Sequence, residues 1–253
     1  MSRKSAIPSI IFLILCTTRV EAQSAPARTV LDGVYSDAQV ARGRAAFVSY
    51  CAICHGGDFQ GISAPTLTGD KFIEHWREDW LDTFYNYIKE YMPRGRPQSA
   101  NPIPAQEYLD IVTYIMKGNG YRTGSSELTT DLIGQVMLVG KNGPQPVPDQ
   151  SLIVVLGCLS RTPNGGWLVS NATEPVRTRI PDMTTPAELK SASQRSLGSL
   201  SFRLTDLEAV PDFVPGDHEG HKMYVKGYLT RQPNAERISL TAMDMLDSAC
   251  SAK

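Results

Sequence analysis

The sequence predicts two units in tandem, an all-α domain followed by a small all-β domain. Three observations carry this reading. Between Ser36 and Lys117 apolar residues recur at helical spacing, interrupted by loops rich in Gly and Pro. The composition changes near residue 124, where Gly124 to Ser126 reads as a linker. Beyond residue 150 come five short apolar runs separated by turn residues. A chain of 253 residues is long enough for two modest domains, each with its own core.

The first 22 residues read as a secretory signal. Arg3 and Lys4 form a basic start, Ile7 to Cys16 an apolar stretch, and Val20-Glu21-Ala22 a cleavage site. The apolar stretch is short for a bilayer span, and no later segment reads as transmembrane. Acylation of Cys16 is the weaker alternative, because Leu15 is bulky where lipoprotein processing prefers a small residue. Residues 23–34 are a polar lead-in. Ser36 and Gln39 have the spacing of a capping box, so a helix is expected to follow and to run into Cys51. Gly43 inside that helix lowers helix propensity and points to a close helix crossing. A Gly- and Pro-rich loop covers Gly56 to Gly69. Helical spacing returns from Phe72 to Tyr91, with Trp76, Trp80, Phe84 and Tyr87 as core positions. Arg94 to Pro104 contains three prolines and is expected to be an extended loop. Gln106 to Lys117 is the last helix, closed by Gly118-Asn119-Gly120.

Residues 124–148 form a linker or packed arm, with Leu132 to Val139 apolar enough for a strand. Residues 149–253 form the β domain. Its expected strands are Leu152 to Leu159, Trp167 to Asn171, Leu200 to Leu204, Lys222 to Leu229 and Arg237 to Ala242, with Asn164-Gly165 at a hairpin turn. Pro186 to Arg195 and Leu204 to Val210 read as short helix or loop. Five strands with little helix suit a small OB-like barrel or a sandwich.

Chemistry concentrates in Cys51-Ala52-Ile53-Cys54-His55. C-x-x-C-H is the attachment signature for c-type haem: two thiols can bond both vinyl groups of one porphyrin, and the adjacent imidazole becomes the proximal iron ligand. A zinc site or chance is the bland rival. The second axial position decides what such an iron does. Met92, just before Pro93, follows a helix, and its soft thioether raises the reduction potential relative to two nitrogen ligands. Met116 and His75 compete for the role. Met116 lies within the last helix and is expected to pack, while His75 sits in the charged segment Glu74 to Asp79.

Four pieces stand in order: Tyr50 to Asp58 around the haem motif, Ala64-Pro65-Thr66-Leu67, Tyr91-Met92-Pro93, and Tyr108 to Ile115. Together, over residues 35–123, they resemble a class I mono-haem cytochrome c of the bacterial kind paired with periplasmic dehydrogenases. The resemblance implies one covalent haem c, Met92 as distal ligand beside His55, and the Pro65 carbonyl as acceptor of the proximal imidazole N–H. It also implies periplasmic localisation, a dehydrogenase as electron donor, and an oxidase or another cytochrome as acceptor. Pro104 departs from the pattern, since many relatives place a Ser or Thr cap there.

Of the five cysteines, Cys16 leaves with the signal and Cys51 and Cys54 are claimed by haem. An oxidising compartment then makes a Cys158–Cys250 disulfide the expected pairing, with two free thiols as the alternative. His218-Glu219-Gly220-His221 lacks the H-E-x-x-H spacing and reads as a solvated turn, a metal site being the sharper alternative. Asn171-Ala172-Thr173 fits both a glycosylation pattern and a strand exit. The net charge of −1, with no polybasic run, argues against a nucleic-acid partner. Arg94 and Arg96 are either a solvated loop or a positive rim for an acidic partner.

The expected function is one-electron transfer without catalysis, with the β domain as a docking or stabilising module. Two other classes remain open at this stage. One is a haem enzyme or gas sensor with a displaceable Met92, which needs distal acid–base groups the sequence does not offer. The other is a binding protein working through the β domain.

Overall fold

The computed structural model describes residues 28–95, 103–232 and 236–250; the signal region, Arg96, Pro97 and Pro102 lie outside them. The first half contains β1 (Arg28–Thr29), α1 (Asp37–Tyr50), α2 (Ala52–His55), α3 (Asp70–Trp76), β2 (Asp79–Trp80), α4 (Leu81–Tyr91), α5 (Ala105–Gly118) and β3 (Val136–Leu138). The second half contains β4 (Leu152–Arg161), β5 (Trp167–Ala172), β6 (Val176–Arg177), α6 (Pro186–Ser193), β7 (Leu200–Thr205), β8 (Lys222–Thr230) and β9 (Arg237–Asp247). Helices therefore build the first half and a β-barrel the second, as the sequence predicts.

α1 starts with the capping box: Ser36 Oγ accepts from the Gln39 amide at 3.2 Å, and the Gln39 side chain returns to the Ser36 amide. Gly43 lies where α1 crosses α5. A Cβ there would sit 1.9 Å from the Asp110 carbonyl oxygen, so the two backbones meet at a distance only glycine permits. Beside the crossing, Arg42 grips the buried Asp110 at 2.7 Å, and Gln106 donates to the same carboxylate at 2.9 Å. Phe47 of α1, Phe59 of the following loop and Tyr114 of α5 close one aromatic cluster, with centroids 4.8–5.5 Å apart. α5 begins directly after Pro104, whose carbonyl accepts from the Glu107 amide at 2.9 Å. A side-chain cap is thus replaced by a residue that needs no amide partner of its own.

The single helix expected from Phe72 to Tyr91 is broken into α3 and α4. Glu78 has φ of 54°, and Asp79–Trp80 leaves the helical path to pair antiparallel with β3. β1 pairs parallel with the other edge of β3, giving a three-stranded sheet. Trp80 is therefore a strand residue at the domain junction, not a helix-core position. The error came from reading aromatic spacing as continuous helix across a turn with no Gly or Pro to mark it. Leu128, Ile133, Val136, Leu138 and Val139 bury into the helical core, so the segment after residue 124 lies on that core.

In the second half β4 pairs with β5 and β8, β5 with β7, β7 with β9, and β9 with β8. The ring closes, and its one parallel pair joins β7 to β9. A five-stranded barrel with the third and fifth strands parallel has the connectivity of an OB fold. All five expected strands form, each within a few residues of its expected end except β9, which runs on to Asp247. β4 reads as an unbroken apolar run because both its faces are covered. Ile153, Val155 and Leu159 point into the barrel, whereas Val154 and Leu156 pack with Tyr224, Trp80 and Met137 at the helical domain.

Two arginines lock that junction. Arg195 lies over the Trp80 ring at 4.0 Å, donates to the Gly134 carbonyl at 2.9 Å and reaches Asp82 at 3.5 Å. Arg179 lies over Trp76 at 4.9 Å and pairs with the buried Asp79 at 3.2 Å. On the barrel, fully buried Lys226 binds Glu188 at 3.0 Å and the Met183 carbonyl at 2.7 Å, fastening α6 and the segment before it. Burial pushes the Asp79 carboxyl up to about 7, partly offset by Arg179.

Two outcomes follow from these contacts. By helix propensity alone, Gly43→Ala would stabilise α1 by about 1 kcal/mol. The crossing reverses the sign, and a loss of about 1–3 kcal/mol is expected in denaturant unfolding. A carboxyl raised on folding holds its proton longer in the native state, so its contribution to stability falls as pH rises from about 4 to about 7. Asp79→Asn cannot ionise and should flatten that part of the stability-versus-pH curve; an unchanged slope would refute the assignment.

Candidate haem site

The C-x-x-C-H segment follows α1 without a break. Cys51 caps that helix through an N–H bond to the Phe47 carbonyl at 2.8 Å. The Cys54 and His55 amides then turn back onto the Cys51 carbonyl at 3.1 and 3.0 Å. One tight helical turn thus presents two unpaired thiols and an imidazole. Cys51 is partly covered and Cys54 exposed. Burial pushes the Cys51 thiol up to about 12, and the neighbouring Cys54 sulfur acts in the same direction.

His55 is oriented by the loop that follows. Its Nδ1 lies 2.8 Å from the Pro65 carbonyl oxygen. A carbonyl only accepts, so Nδ1 carries the proton and the lone pair resides on Nε2, free for a metal. The loop is rigid at both ends. The Ile62, Ser63 and Ala64 amides converge on the Cys54 carbonyl at 2.9–3.2 Å. Gly61, with φ of 80°, lies so close to the Ala64 carbonyl that a Cβ would meet it at 2.7 Å. At the far end Asn119, the cap of α5, accepts from the Gly69 amide at 3.1 Å and donates to the Leu67 carbonyl at 2.9 Å. Phe59 and Asn119 carry this anchoring; the sequence reading gave Phe59 no role and Asn119 only the end of the last helix. The only available signal for Phe59 was one aromatic residue amid glycines.

Met92 caps α4, its amide on the Ile88 carbonyl at 3.0 Å, and its half-buried side chain packs on the helical core. The Tyr108 hydroxyl of α5 donates to the Met92 carbonyl at 2.6 Å, so the turn bearing the thioether is fixed to the last helix. The rival sulfur, Met116, is fully buried within the core. His75 is exposed on α3, edge-on to Trp76 at 5.1 Å. Partial desolvation of the ring, aided by the Arg179 and Arg177 charges, lowers its pKa. Arg94 borders a cleft of about 700 Å³ between α4 and residues 178–188, alongside Tyr87, Tyr91 and Arg179. Exposed Ile53 and Ile62 give the haem-motif surface an apolar character.

Residues 38–115 match a family model described as cytochrome c oxidase, cbb3-type, subunit III. This segment is a c-type cytochrome domain. It covers less than a third of the chain, and the β-barrel lies wholly outside it. No curated protein matches the sequence. A domain of this family binds covalently attached haem c, and the donor set suits it: two thiols on one turn, an imidazole with a free Nε2, and a thioether on a separate turn. No described helix is long and apolar enough to cross a membrane.

Proposed function

We propose that the chain is an exported mono-haem cytochrome c that passes single electrons from a periplasmic dehydrogenase to an oxidase or another cytochrome. The observation that carries this reading is the fixed orientation of His55 on the Pro65 carbonyl, with Met92 tied to α5 by Tyr108. When bound, haem c supplies a one-electron Fe(III)/Fe(II) couple. Cys51 and Cys54 would hold it covalently through their two thiols. His55 Nε2 and the Met92 sulfur would serve as its iron ligands. The Pro65 carbonyl holds the His55 ring and Tyr108 holds the Met92 turn, so neither would need to move between oxidation states. The family description names a cytochrome c oxidase, which supports the choice of an oxidase as acceptor.

Exposed Ile53 and Ile62 suit a small, transient docking surface near the motif. The β-barrel then serves as a stabilising or docking module, held at a fixed angle by Arg179 and Arg195. The Cys158–Cys250 disulfide belongs to the same reading. It is supported by a Cα separation of 5.5 Å and by the expected export.

Absorption spectra of the matured protein test the ligand set. The ferric protein should show a sulfur-to-iron charge-transfer band, and the reduced spectrum should ignore carbon monoxide. Met92→Ala should abolish the band, admit carbon monoxide and lower the midpoint potential. Carbon monoxide binding by the parent would instead favour the enzyme or sensor reading. Intact mass after alkylation without reductant should count no reactive thiol in the exported protein; two modified cysteines at 158 and 250 would sink the disulfide.

A further inference from the structure

The turn before β8 holds two of the chain's four histidines in a geometry that the cytochrome function does not use. His218 and His221 face each other with their Nδ1 atoms 3.3 Å apart. That is within reach of a hydrogen bond from one ring to the other, the donor depending on the tautomers, and the same gap suits a shared ion. It is the separation of two nitrogens sharing one tetrahedral metal: bonds of about 2.0–2.1 Å at the tetrahedral angle place them about 3.3–3.4 Å apart.

The turn is built before any ion arrives. Phe213 stacks on His218, ring centroids 5.1 Å apart and planes 10° from parallel. The His221 amide donates to the His218 carbonyl at 3.0 Å. The barrel grips the turn on both sides: Gly220 N–H bonds the Leu159 carbonyl at 2.8 Å, and Leu159 N–H bonds the His221 carbonyl at 3.1 Å. The Cys250 amide adds a bond to the Gly220 carbonyl at 3.1 Å. Both residues are partly buried and keep some contact with solvent, which gives an ion a way in.

We propose that His218 and His221 chelate a divalent late first-row transition ion through their Nδ1 atoms. Imidazole donors select the zinc, nickel and copper class over calcium or magnesium, which require oxygen ligands. Among the described residues no third His, Cys, Asp or Glu joins the pair. Water therefore completes the shell, and the ion exchanges readily. An ion held by the folded turn also stabilises the barrel by mass action.

Zinc chloride titrated calorimetrically into the full-length, haem-loaded protein should bind at one site per chain and raise the thermal midpoint. His218→Ala and His221→Ala should each weaken binding by about tenfold or more, and His75→Ala should leave it unchanged. Imidazole ¹⁵N shifts of the parent protein should move at Nδ1 of both residues on adding zinc, a reading that does not depend on any variant folding. Undiminished zinc binding by the His218→Ala/His221→Ala double variant, no binding by the parent at millimolar zinc, or shifts confined to His75 would each overturn the site.

Discussion

The close approach of α1 and α5 at Gly43 is the constraint on which the haem site depends. α1 delivers Cys51 at its last turn, and α5 carries Tyr108, which fixes the Met92 carbonyl. Asn119 at the other end of α5 fixes the loop that orients His55. The two sides of the candidate haem site thus share one packing contact, and displacement of either helix would shift His55 and Met92 relative to each other. The carboxylate of Asp110 reinforces the crossing, bound by Arg42 and by Gln106. A buried charge in such a place costs desolvation, and its bidentate partner offsets that cost while specifying which helix faces meet.

The second unit is joined by a different physics. The outward face of β4 is as apolar as its inward face, so the barrel cannot stand with that side in water. Trp80 and Met137 cover it, and Arg179 and Arg195 cover the rings of Trp76 and Trp80 in turn. Guanidinium groups suit this role because they stack on aromatic faces while their edges satisfy carboxylates and carbonyls. The junction therefore combines apolar burial with charged contacts of defined geometry, which favours a fixed angle between the domains over a hinged one.

Much of the site was legible because its chemistry is local. A C-x-x-C-H pentapeptide binds within one helical turn, and a Met-Pro step after an aromatic helix is equally short-range. What could not be read were contacts between residues far apart in sequence. Phe59, Asn119 and Tyr108 act through partners 16 to 55 positions away, and a single residue type carries no trace of such a partner. The broken helix between Phe72 and Tyr91 failed for a related reason. Arg77 to Trp80 turns to pair with β3, more than fifty residues later, and tertiary pairing overrode a locally consistent helical pattern.

By itself the sequence determined the order of the domains, the α1 cap, the attachment motif and its two ligand candidates, and the barrel's strands to within a few residues for all but the last. These rest on local periodicity, turn chemistry and fixed spacing, which a linear chain records directly. Only the tertiary structure decided that β4 closes a ring, that Lys226 is buried against Glu188, and that His218 meets His221 nitrogen to nitrogen. Each of these depends on where the chain returns in space, and that is set by the sum of many packing contacts rather than by any neighbouring residue.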